Sequence, residues 1–196
     1  SITINGNGTI SGYTPSTISG TVTSSNMPAG SILQVKHKVM DTDLDLGSSI
    51  SDWTNITNLV ETITPSNTNN KIIIQAWVHV TDLQSSTGGD LMVALALKKN
   101  GTLLSYNSDG DRAYGDFTQY LSGSAREANL TSQIGSFCRE DVGGSTSALS
   151  YQVVIKSGST GWATNATGIN KVLRTDDEWF VCRRARSTIT LMEVKA

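Results

Sequence analysis

From residue 31 onward, apolar and polar side chains alternate with period two. Leu33, Val35, His37 and Val39 fall on one side and Gln34, Lys36, Lys38 and Met40 on the other, the pattern of a half-buried strand. Trp53, Asn55, Thr57 and Leu59 continue it less cleanly, and Val60, Thr62 and Thr64 run to a stop at Pro65 in the turn-rich Pro65-Ser66-Asn67-Thr68-Asn69-Asn70. Residues 71–80 are almost continuously apolar and β-branched, which predicts a central strand. Residues 91–99, then Asn100-Gly101, then 102–106 predict a hairpin around a type I′ turn. Further strands are expected over 129–138, 148–156, 178–183 and 187–194. No segment reads as an amphipathic helix. One could hide only in 116–130, where Gly123 limits it to a turn or two. Eight or nine strands joined by Gly, Ser and Asn loops predict an all-β, antiparallel β-sandwich, with the jelly roll as the preferred variant.

Residues 1–30 have a different character. They carry no charge and Tyr13 as their one aromatic, and Thr9-Ile10-Ser11-Gly12 returns as Thr17-Ile18-Ser19-Gly20. Isolated Ile2, Ile4, Ile10 and Ile18 cannot build a core, so this stretch is expected to be disordered or to lie extended on another surface. Pro28-Ala29-Gly30 then punctuates the chain. The expected organisation is an extended attachment arm over 1–30, with those four isoleucines as its contacts, and a sandwich over 31–196.

Composition narrows the function. The 196 residues suit one domain. Only 16% are charged, against roughly 25% in typical soluble domains, which excludes a coiled coil or a charged disordered tail. The apolar run 91–97 falls far short of the ~20 residues that span a bilayer, so no membrane partner is expected. A net charge of −2 offers nothing to nucleic acid, and Arg183-Arg184-Ala185-Arg186 reads as a solvated strand end. The opening residues show no signal-peptide pattern, so the sequons at Asn7, Asn55, Asn100, Asn129 and Asn165 are attributed to composition.

Candidate chemistry is sparse. Cys138 and Cys182 sit in similar frames, Phe137-Cys138-Arg139 and Val181-Cys182-Arg183, and could form a disulfide in an oxidising compartment; without an export signal they are expected to be buried free thiols. His37 is expected to be a hydrogen-bonded core or interface residue, and His79 has no motif around it. Asp41, Asp43 and Asp45 have the spacing of a calcium loop. Leu46 stands where such a loop needs Gly, Asp52 where it needs Glu, and flanking helices are missing. No metal and no cofactor are expected. Glu140-Asp141 and Asp176-Asp177-Glu178 are neighbours in sequence only, and no nucleophile elbow or phosphate cradle occurs. No catalytic residue is assigned and no enzyme is expected. Trp162, in a Ser/Thr/Gly/Asn loop, is the best sugar platform, with Tyr114 and Tyr120 as further candidate glycan contacts. Trp53, Trp77 and Trp179 are expected in the core or at a subunit interface.

Three segments carry a resemblance. Gly30-Ser31-Ile32-Leu33-Gln34-Val35 looks like an opening strand, Ile63-Thr64-Pro65-Ser66 with Asn70-Lys71-Ile72-Ile73-Ile74 like a second hairpin, and Ser187-Thr188-Ile189-Thr190-Leu191-Met192-Glu193-Val194 like a terminal strand. In that order they resemble tailed-bacteriophage virion proteins, fibres or decorations whose tips are trimeric β-sandwich knobs. Asn5-Gly6-Asn7-Gly8-Thr9-Ile10-Ser11-Gly12 also looks like N-terminal segments of such proteins. The resemblance implies a structural virion component, homotrimeric, with the arm on phage capsid or tail proteins. The lack of a coiled-coil or repeated shaft favours a short projection on the capsid. The alternative is a short tail-fibre knob that recognises host surface glycan. Strands 71–80 and 91–97, apolar on both faces, exceed what one core needs and suggest burial shared around a threefold axis.

Overall fold

The computed structural model describes residues 3–4, 10–11, 24–48, 50, 52–82, 91–104, 115–121, 132–157, 166–171 and 185–196. Within 1–30, β1 (Thr3–Ile4) and β2 (Ile10–Ser11) pair antiparallel, with Ile4 opposite Ile10. A 3-10 turn follows at Ser24–Asn26. The remaining strands are β3 (Ile32–Met40), β4 (Leu44–Ser48), β5 (Thr54–Ile63), β6 (Lys71–Asp82), β7 (Leu91–Lys99), β8 (Thr102–Leu103), β9 (Phe117–Leu121), β10 (Ser132–Val142), β11 (Leu149–Ser157), β12 (Ala166–Ile169) and β13 (Ser187–Val194). Among the described residues there is no α-helix.

The protein is an all-β antiparallel sandwich. In the six-stranded sheet β6 is the spine: β10 runs along one side of it, while β13 and then β12 share the other. β3 flanks β13, and β4 flanks β12. The register runs on from Ile32 opposite Val194 to Ser48 opposite Ala166. β3 with β4, and β12 with β13, are therefore each one strand in two pieces. Counted so, the sheet order is β3/β4, β12/β13, β6, β10, and the facing order is β5, β11, β7, β9, with β8 closing the hairpin from β7. Apart from the β7–β9 connection and the two split strands, each step along the chain from β3 onward passes between sheets, save the β7–β8 hairpin. This is jelly-roll connectivity, as the strand pattern suggested.

The core lies between the sheets. Ile72, Ile74, Ala76, Val78 and Val80 of β6 face inward, as do Ile189 and Leu191 of β13; the facing sheet contributes Val93, Leu95, Leu97, Tyr151, Val153 and Ile155. Asn100 and Gly101 both adopt positive φ, 50° and 83°, as the expected type I′ turn requires. Gly135 of β10 is needed for close approach: a Cβ there would lie 2.6 Å from Leu95 Cδ1 and 2.9 Å from the Phe117 ring.

Several sequence expectations are corrected. The alternation over β3 is present, but its apolar side, with Val35 and Val39, is exposed rather than buried. Part of 116–130, where a helical turn was allowed, is strand β9, paired with β7. β4 and β12 were not expected; they are short and contain Gly. Cys138 is an exposed free thiol rather than a buried one, because it shares the outer face of β10. Over 93–97 the second face of β7 carries Ala94 and Ala96, both already buried in the single chain rather than left over for a partner. The strand expected at 178–183, with Trp179 and Cys182, lies outside the described residues.

Candidate functional site

Antiparallel register places directly opposed residues on one face, so the outer face of the six-stranded sheet can be read row by row. Ile32, Val194, Lys71 and Val142 form the first row, and Val35, Met192, Ile73 and Glu140 the second. His37, Thr190, Gln75 and Cys138 form a polar third row, in which His37 Nδ1 and Thr190 Oγ1 lie 2.8 Å apart. Val39, Thr188, Trp77 and Ser136 follow, and Ile134 stands opposite His79. Among the described residues, the exposed large apolar side chains are Ile32, Val35, Val39, Trp77, Ile134 and Val142. All six lie on this face. Trp77 is 62% exposed and Ile134 63%, an arrangement that soluble monomers rarely present as a contiguous patch.

Three buried polar residues, Glu193, Asn170 and Ser187, hold the sandwich together through hydrogen bonds. Glu193 is in phase with the inward Ile189 and Leu191 and is 1% exposed. Its Oε1 accepts from Ser66 N (2.7 Å), Ser66 Oγ (2.8 Å) and Asn70 Nδ2 (2.6 Å), and its Oε2 accepts from Gln34 Nε2 (2.6 Å). Burial alone would raise its pKa, but the hydrogen bonds from Asn70, Gln34 and Ser66 outweigh it and hold the carboxyl below the usual range. Gln34 Nε2 also reaches Thr64 O at 2.7 Å. Glu193 thus joins β13, β3 and the β5–β6 turn, the three segments that carry the resemblance. Beside this corner Lys195 Nζ donates to Ser25 O and Met27 O, and Gly30 N donates to Lys195 O at 2.8 Å. The chain from residues 24–31 is therefore tied to the sandwich where β13 ends. A cavity of ≈ 260 Å³ opens here, lined by Ser24, Ser25, Leu33, Asn67, Asn69 and Lys195 among others.

A second tie closes the split strand. Asn170, at φ 54°, donates from Nδ2 to Met40 O (2.8 Å) and Thr42 O (3.1 Å), and its Oδ1 accepts from Ser187 Oγ at 2.7 Å. Ser187 Oγ accepts from His79 N at 3.0 Å. Burial lowers the pKa of the His79 imidazole. On the β10 side, Asp141 receives Tyr151 OH at 2.7 Å and pairs with Lys99 at 2.7 Å. Burial, reinforced by Asp141, pushes the Tyr151 phenol far above its ordinary range.

The expected site residues are only partly placed. Ile4 and Ile10 are paired in the backbone register of the β1–β2 ladder, while Ile2 and Ile18 lie outside the described residues. Tyr120 is in β9 opposite Met92; Tyr114 and Trp162 lie outside the described residues. In the acidic run, Asp45 pairs with Lys171 at 2.6 Å and accepts from Gly47 N at 2.9 Å, and Lys171 before Gly47 holds its carboxyl low. No group of three or more His, Cys, Asp or Glu among the described residues could hold a metal. Sequence reasoning missed Glu193 and Asn170. The signal for Glu193 was a carboxylate in phase with buried residues of a strand.

No protein-family model matches the sequence, and neither does any curated protein sequence. Solved structures similar to the chain include infectious bursal disease virus, Gx strain, at 12% identity and a TM-score of 0.37, covering 83% of this chain and 38% of that one. The VP2 subviral particle of the same virus matches at 10% identity and a TM-score of 0.32, covering 85% and 39%. Dimeric latent PorU from Porphyromonas gingivalis matches at 11% identity and a TM-score of 0.36, covering 86% and 14%. The chain thus spans less than half the length of each. Matches at this level say nothing about function.

Proposed function

We propose that the chain is a structural subunit of a tailed-phage virion, a trimeric β-sandwich projection held on the particle, on the capsid in preference to the tail, by residues 1–30. The observation that carries this reading is the outer face of the six-stranded sheet, where all six exposed large apolar side chains of the described residues gather. Such a face belongs to a protein that functions inside an assembly. The kind of assembly comes from the resemblance, whose three segments are the ones joined at Glu193. Jelly rolls serve as viral capsid and lectin domains among other roles, so the fold is compatible with this reading and does not select it. No enzymatic activity belongs to the proposal. No observation favours the glycan-binding alternative, whose Tyr114 and Trp162 lie outside the described residues.

The test is to purify particles carrying the full chain and a variant lacking residues 1–20, and to measure occupancy by mass spectrometry and cryo-electron microscopy. The full chain is expected on the particle surface, and the shortened chain is expected to fold and fail to attach. Ile4→Ser and Ile10→Ser are expected to weaken attachment in steps. Particles without the protein overturn the reading. Normal occupancy by the shortened chain moves the anchor to the sandwich.

A further inference from the structure

The geometry points to the outer face of the six-stranded sheet as the surface through which three copies of this chain close around a threefold axis, an inference that rests on the reading of the chain as a virion subunit. Width is the first argument. Four strands at about 4.8 Å make a face about 19 Å across, and three such faces enclose a triangular prism whose walls lie about 5.5 Å from the axis. That is half the roughly 10 Å at which β-sheets pack face to face, so side chains of ordinary size fill the interior. From Lys71 to His79 the face is about 26 Å long, roughly 500 Å² in projection. Side-chain relief brings it toward the roughly 800 Å² of accessible surface that each partner gives to a stable interface.

Charge is the second argument. A threefold axis brings each residue close to its own copies, so an unpaired charge on the face would repel itself. Lys71 and Glu140 are already paired at 2.9 Å, and apart from His37 the other members of the four complete rows are uncharged. The edge is the third. β3 is an edge strand, and its exposed Lys36 and Lys38 stand opposite the core residues Leu191 and Ile189. Inward lysines on an edge oppose the addition of another strand at β3, which leaves the face beside that edge for association. In the prism, Ile73, Trp77 and Met192 point to the axis, with Gln75 and Thr190 forming a polar layer. β3 of one copy meets β10 of the next, setting Ile32 level with Val142 and Val39 within one row of Ile134.

The experiment is native mass spectrometry and light scattering of the full chain at micromolar concentration, with Trp77→Lys, Ile134→Lys and, on the opposite sheet, Thr57→Lys. Wild type and Thr57→Lys are expected at three times 20.9 kDa. Trp77→Lys and Ile134→Lys are expected to raise the half-assembly concentration by about tenfold or more, as loss of a central anchor does, and to keep the strand signature in circular dichroism. Site-resolved alkylation of Cys138 supplies a readout on the unaltered protein: the thiol is exposed in the single chain and is expected to be protected in wild type. A wild-type monomer or dimer overturns the inference. A trimer that survives both lysine substitutions, with Cys138 freely alkylated, overturns this face while leaving the virion reading intact. Absence from particles overturns that reading independently.

Discussion

The two sheets of the sandwich share one core, yet their outer faces are built differently. On the five-stranded sheet the outward positions of β7 and β11 include Ala94, Ala96 and Val154, which are buried, and the half-buried Lys98, Gln152 and Lys156. β5 beside them presents exposed Asn55, Thr57 and Thr62. Lys98 reaches across to Asn55 Oδ1 at 3.0 Å, and Gln152 to Ile56 O at 2.7 Å. That face is complete within the single chain. On the six-stranded sheet the outward positions include Val35, Val39, Ile73, Trp77 and Ile134, larger and partly or largely exposed. Among the described residues the large apolar side chains left exposed all lie on the six-stranded face, interrupted there by one polar row and the Lys71–Glu140 pair. On the proposed reading, the contrast separates a face closed within the single chain from one left open for a second copy.

Lysine placed on each face is the most direct way to break this comparison. Ala96→Lys puts an ammonium at a fully buried position among packed neighbours. It is expected to cost more than about 3 kcal/mol, or to prevent folding. Trp77→Lys, at a site open in the single chain, is expected to change the stability of the dissociated protein by no more than about 0.5 kcal/mol. Urea melts at low protein concentration read both. Equal losses would mean that the faces are equivalent and that the exposure of Trp77 has no significance for assembly.

The next largest effect belongs to Glu193. Glu193→Ala removes the acceptor shared by Ser66 N, Ser66 Oγ, Asn70 Nδ2 and Gln34 Nε2, leaving Gln34 its bond to Thr64 O and Asn70 its bond to Ser66 Oγ, and is expected to cost about 1–3 kcal/mol. The pH dependence has a definite sign. The carboxyl is held below the ordinary glutamate range in the folded protein, so the unfolded chain takes up the proton first as acid is added. Its stabilisation is fully present above the unfolded pKa and is lost as pH falls through the folded one. Wild type should therefore melt progressively earlier from about pH 5 downward, and Glu193→Gln should show a shallower acid slope. Identical slopes would mean that other carboxylates set the acid limit.

The strands were legible because period-two patterning and turn chemistry are local. Asn100-Gly101 specified its turn, and the β-branched run of β6 specified a strand paired on both sides. What period two cannot supply is direction. Val35 and Val39 alternate correctly but point outward, because the inward side of β3 is an edge position where Lys36 and Lys38 can reach water. The split of β12 from β13 was illegible for another reason. Ala166–Ile169 is too short to show a period, and it joins the sheet only because β6 offers it an unoccupied stretch at residues 80–82. Asn170 and Glu193 act through partners distant in sequence, which no local pattern reveals.

The smallest expected effect lies at the rim of the six-stranded sheet and sharpens the contrast between its charges and its apolar rows. Asp41, Asp43 and Asp45 have the spacing of a calcium loop, but Asp45 is already engaged by Lys171 at 2.6 Å and by Gly47 N at 2.9 Å. A cation entering there would have to displace an ammonium that already neutralises the carboxylate. Both partners are substantially exposed, so solvent screens the pair, and Asp45→Asn is expected to cost well under about 1 kcal/mol. A calcium chelator is expected to leave Tm unchanged, since an ion bound only to the folded state would otherwise stabilise it by mass action. Added calcium that raises Tm by several degrees, and fails to do so in Asp45→Asn, would make the rim a cation site. A flat response in both proteins would mean that charge at this edge contributes little, and that the special character of the sheet resides in the apolar rows around Trp77.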